Sequence, residues 1–170
     1  MELKQYQKMK ALINSIIKQL NDVQKGKIWI GTNFNKKMNA LNENDVFIKL
    51  SPKIHSVAEL ISHLTFWRKE TILKIKTQKS NLTEESEENW LTNEQLKEIG
   101  WGKIKEEYNN SLVEIIQLIQ HKNDSFLNEI YYDSDYKGKY NYLFLIEGML
   151  HHDIYHLGQI GMIVNLIKKK

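Results

Sequence analysis

From Asn141 to Ile167 the chain carries apolar residues on nearly every side of a 3.6-residue period, from Leu143 through Ile146, Met149 and Leu150 to Ile160, Val164 and Ile167. That pattern predicts a helix buried among other helices, and Glu147, His151, His152 and Asp153 interrupt it too heavily for a membrane span. Inside it stand His152 and His156, four apart and therefore stacked on one face. With 6 His in 170 residues, chance supplies roughly 0.2 such pairs per chain, so the spacing needs support from its setting. Two readings stay open on spacing alone: core histidines satisfied by carbonyl groups, or a pair converging on a metal ion.

The rest of the composition narrows the choices. One Pro and eight Gly in 170 residues, with no long alternating apolar stretches, favour an all-α chain, and the length suits a single domain over residues 1–170. Cysteine is absent, which removes disulfides, thiolate ligands and a Cys nucleophile together, so any metal must rest on nitrogen and oxygen. The net charge of +3 comes from scattered Lys, apart from a terminal Lys168-Lys169-Lys170 run that complements a helix dipole, and no basic stripe suggests nucleic acid. Met1 to Gln5 lacks the apolar core of a signal peptide, which makes the cytoplasm the expected location.

Leu3, Tyr6, Met9, Ile13, Ile16, Leu20 and Val23 predict a first helix over 2–24. Gly and Asn residues from Lys25 to Lys53 predict a long connection with a short helix near 35–41. Ser56-Val57-Ala58-Glu59 reads as a capping box that starts a second helix with Val57, Leu60, Leu64, Trp67, Thr71 and Ile75 inward and His63 at the edge of that stripe. A polar loop follows, then a second capping box at Thr92, the Gly100-Trp101-Gly102 interruption, and a third helix from Ile104 to near His121. Asn123 to Lys139 reads as an irregular link carrying Tyr131, Tyr132 and Tyr136. Four main helices and no sheet are therefore expected, with Gly158 and Gly161 allowing close helix approach.

In such a bundle facing helices build sites in the core, and His63 is the natural third partner for His152 and His156. Three imidazoles leave positions open to water or substrate, and a water so held is acidified enough to act as nucleophile or base. Asp153 reads either as an acceptor for a ligand N–H or as a solvent or interhelical contact, and Gln159 either reaches the same face or pairs with backbone. His152-Asp153-x-x-His156 also imitates the metalloprotease H-E-x-x-H, with a shorter carboxylate and no strand expected beside it.

His63-Leu64-x-x-Trp67 together with His152-Asp153-x-Tyr155-His156-x-Gly158-Gln159-Ile160 resembles the signature of the DinB-like metal-binding four-helix bundles. The resemblance implies an up-down-down-up bundle, a divalent metal on His63, His152 and His156, and frequent homodimers. Relatives of that kind include thiol S-transferases and a maleylpyruvate isomerase that uses a thiol cofactor. The implied function is a metal-dependent enzyme, a thiol S-transferase or hydrolase-like, and the alternative is a non-catalytic metal-binding dimeric module. Imidazole ligands favour zinc or nickel over magnesium. A low-molecular-weight thiol is the implied cofactor, in a pocket between the second and fourth helices and the Tyr131 to Tyr140 link.

Overall fold

A computed structural model of the chain describes residues 9–80 and 82–169; Leu3 and Tyr6, which the periodicity places in the first helix, lie outside them. The elements in order are α1 (Ala11–Gln24), α2 (Phe34–Met38), α3 (Val57–Thr77), α4 (Asn93–Ile99), α5 (Trp101–Ile119), β1 (Ile130–Asp133), β2 (Gly138–Asn141) and α6 (Tyr142–Ile167). α1, α3, α5 and α6 form the bundle. Side-chain pairings fix their directions. Lys69 and Lys76 of α3 meet Glu107 and Glu114 of α5, so those two helices run parallel. Gln24 bonds Asn109 and Lys10 bonds the carbonyl of Gln120, so α1 runs against α5. The Tyr142 hydroxyl donates to the Lys74 carbonyl while His152 faces His63, so α6 runs against α3. The order is up-down-down-up.

Local chemistry sets the ends. Both capping boxes form, Ser56 with Glu59 and Thr92 with Gln95. Gly100, at φ +85°, ends α4 in a conformation open to glycine and turns the chain into α5. α1 lacks a side-chain cap of its own; the Asp124 carboxylate accepts from the amides of Leu12 and Ile13 at 3.1 and 3.0 Å and fills that role from across the bundle. The long first connection contributes Phe34, Met38 and Val46 to the core.

Three expectations are corrected. The link after α5 holds a two-stranded antiparallel hairpin, pairing Ile130 with Asn141 and Asp133 with Gly138, where no sheet was expected. Tyr131 and Asp133 are buried and Ile130 and Tyr132 exposed, a period of two too short to stand out from a tyrosine-rich loop. Second, the helix buried nearly all round is α3, whereas α6 exposes Ile154, Tyr155, Met162 and Leu166. Third, beyond its own turn of helix Gly158 has no described atom within 4 Å of the place a Cβ would take, and Gly161 meets the Lys37 side chain at an ordinary 3.5 Å, so neither glycine serves close helix packing. Among the described residues no helix is long and apolar enough to cross a membrane.

Candidate metal centre

The antiparallel crossing of α3 and α6 brings three imidazoles together. His152 Nε2 lies 3.1 Å from His63 Nε2 and 2.9 Å from His156 Nε2, and one ligating nitrogen from each ring falls within 4.8 Å of the others. Their outer nitrogens explain the orientation. His63 Nδ1 donates to the Asn89 carbonyl at 3.3 Å, and His156 Nδ1 donates to Gln159 Oε1 at 2.8 Å. With the ring protons held there, His63 Nε2 and His156 Nε2 present bare lone pairs to the shared point, and a single proton on His152 Nε2 can satisfy only one of them. A divalent cation accepts all three at once, and outer acceptors of this kind fix the tautomer that metal ligation requires. The donor set fits a borderline ion.

Electrostatics favours the ligating form. Burial, with the charge that His156 would carry, pushes His63 down to about 4 against the pull of the Asn89 carbonyl. Burial, followed by His156 and His63, holds His152 at about 3. Burial also lowers His156, opposed by Gln159 and Asp153. All three are neutral at neutral pH.

Asp153 is bonded to Arg68 and not to any of the three imidazoles. Arg68 Nη2 bonds its Oδ2 at 2.7 Å, and the same guanidinium reaches Gln24 Oε1, the Tyr108 hydroxyl and the Tyr108 carbonyl at 3.2, 3.0 and 3.1 Å. Arg68 and Asp153 are each 1% exposed. Burial alone would pull the guanidinium down, but Asp153 and Tyr108 outweigh it, so Arg68 stays charged. One side chain thereby ties all four long helices and sets the rotation of α6 that turns His152 and His156 toward α3. It also removes the protease-like reading, because the Asp153 carboxylate is held by Arg68 in the bundle interior.

Several site residues were not read from the sequence. Trp90 stacks between His63 and His55, 3.8 Å from each ring, and walls the cluster on the side of the loop before α4. Asn89, beside it in a 3-10 turn, is held by its own amide on the Glu84 carbonyl. A cleft of about 480 Å³ opens from His63 and His152 and runs along α3 and α6 to Tyr131 and Tyr136 of the hairpin, where the pocket was expected.

The profile of the DinB superfamily matches residues 30–160, which takes in the cluster, the cleft and most of the bundle. The chain belongs to the DinB superfamily. Among curated proteins none matches. As a DinB-superfamily bundle it holds a three-His group able to take a metal ion at one end of the cleft. His55, His121 and His151 stay outside that group, and His121 and His151 are exposed.

Proposed function

We propose that His63, His152 and His156 hold one divalent ion, zinc or nickel, and that the chain is a cytoplasmic enzyme transferring groups to or from a low-molecular-weight thiol. The observation that carries the metal is the convergence of three Nε2 atoms, with the Nδ1 atoms of His63 and His156 donating outward to Asn89 and Gln159. Bound there, the ion would deprotonate a thiol entering its open positions, supplying a nucleophile that this Cys-free chain lacks. The chain's own residues enclose the reaction: Trp67 and Trp90 flank His63, and Met149 lies one turn before His152 on the cleft wall.

A thermal-shift series on metal-loaded protein with bacillithiol, glutathione, coenzyme A and cysteine tests the thiol, since a native-state ligand raises the melting point by mass action. A shift by at least one thiol, lost in His63→Ala, is expected; no shift, or an equal shift in the variant, overturns it.

A second reading, a dimeric metal-binding module without catalysis, draws on the exposed stripe of α6. Met162 is 67% and Tyr155 64% exposed, with Ile154 and Leu166 beside them. As a homodimer face, this stripe should let Met162→Glu shift the protein to monomer in light scattering, whatever its activity.

A further inference from the structure

The cleft follows one stripe of α3: His63, Trp67, Glu70, Thr71 and Lys74 all line it. Glu70 lies seven residues beyond His63, roughly 10 Å along the helix axis. That distance rules out proton exchange with a group held at the imidazoles, which needs contact within about 3 Å or one bridging water. Its surroundings need another explanation.

Three buried charged side chains meet at this end. Lys74 Nζ pairs with both Glu70 Oε1 and Asp133 Oδ2, and all three residues are at least 97% buried. Asp133 is fully partnered: besides Lys74, the Tyr131 hydroxyl donates to Oδ2 at 3.3 Å, and the amides of Asp135 and Tyr136 donate to Oδ1 at 3.0 Å. Burial would raise its carboxyl, but Lys74 and those amides hold it below its ordinary value. Glu70 is different. Its Oε1 has the Lys74 ammonium that it shares with Asp133, and among the described residues no other donor reaches the carboxylate. Burial pushes its carboxyl up to about 7, Lys74 only partly offsets this, and Asp133 and Asp135 add repulsion.

One ammonium thus faces two carboxylates, all three line the cleft, and Glu70 has that shared ammonium alone. Glu84, also on the lining, adds to the negative side, and Lys74 is the only Lys or Arg among the described lining residues. An anionic ligand end would meet this excess of negative charge, whereas a cation would supply the donors that Glu70 lacks. Tyr131, Tyr136 and Phe144 add ring faces suited to an ammonium group.

We infer that Glu70 forms a subsite for a primary ammonium group, so that the ligand of this cleft is an amino compound whose cationic end lies far from the three imidazoles. The subsite itself stands on Glu70, Lys74 and Asp133; the added statement that the other end is a thiol rests on the reading of the site proposed above. The matching ligand is then an aminothiol with sulfur and nitrogen roughly 10 Å apart.

Calorimetric titration with hexylamine, hexanol and hexanoate tests the ammonium subsite without reference to metal or thiol. Wild type should bind hexylamine at least about tenfold more tightly than hexanol, the scale of one charge-assisted hydrogen bond, and hexanoate most weakly. Glu70→Gln should bring the amine-to-alcohol ratio close to one, and Glu70→Asp should restore part of it. Equal affinities in wild type, tighter binding of hexanoate, or a ratio unchanged in Glu70→Gln would overturn the inference. Aminooctanethiol and octanethiol on zinc-loaded protein separate the two claims. Thiol affinity retained without amine preference removes the subsite alone. Amine preference retained without thiol affinity, in wild type as in His156→Ala, removes the thiol reading alone.

Discussion

Arg68 and Glu70 stand two residues apart on α3, both almost wholly buried, and they enter opposite kinds of environment. Arg68 points into the bundle interior, where one guanidinium meets one carboxylate and four helices are joined. Glu70 borders the cleft, where two carboxylates share one ammonium. A buried ion pair whose two charges balance serves architecture. A buried cluster with one charge in excess, bordering a cavity, is arranged for something that comes from outside.

The sharpest way to break this contrast is to strand the charge in the core. Arg68→Met leaves Asp153 uncompensated and should lower stability by about 3–5 kcal/mol, read from denaturant midpoints. It should also reduce metal uptake, because α6 loses the tie that sets its rotation. Adding Asp153→Leu should recover most of the stability, since neither charge is then stranded. If the single substitution is neutral, Arg68 is not the clamp.

Acidification should give the next effect, at the imidazoles. Their folded-state values lie below the unfolded value of about 6.5, so metal-free protein keeps their full contribution above that pH. Stability should fall as the pH drops toward about 4 for His63 and about 3 for His152. Denaturant midpoints across that window should show the loss. A protein with all three replaced by Ala should lose that slope, and retention of it would place the titration elsewhere.

Glu70→Gln should have the smallest effect, and of opposite sign. The Glu70 carboxyl sits at about 7, above its unfolded value, so its contribution is complete below about 4.5 and is lost as pH rises through about 7. The variant should therefore match wild type at about pH 4.5 and below and exceed it from neutrality upward. A marked loss of stability at neutral pH would make Glu70 a structural residue like Arg68.

The sequence showed more of the fold than of the cleft. The caps at Ser56 and Thr92 and the period of the long helices were legible because they depend on residues close in sequence. His63, His152 and His156 were legible as a group because two share a helix face and the third edges an inward stripe. Arg68 was not, since an Arg followed by Lys69 and Glu70 reads as part of a solvated charged face, and its partners lie 40 to 85 residues away. Glu70 and Lys74, four apart with the acid first, have the spacing of an ordinary surface pair. They also continue the stripe of His63 and Trp67, which was the available sign that they face inward. Asp133 and the hairpin were hidden because a four-residue strand among tyrosines carries too few alternations to recognise.

Metal content tests the central claim most directly. Protein without a polyhistidine tag, loaded with zinc or nickel and then freed of excess ion, should retain one ion per chain by elemental analysis. His63→Ala, His152→Ala and His156→Ala should each retain far less while keeping the wild-type far-ultraviolet dichroism. Wild-type protein that retains no ion, or a folded His156→Ala that retains as much as wild type, would contradict the assignment of the three imidazoles as a metal centre.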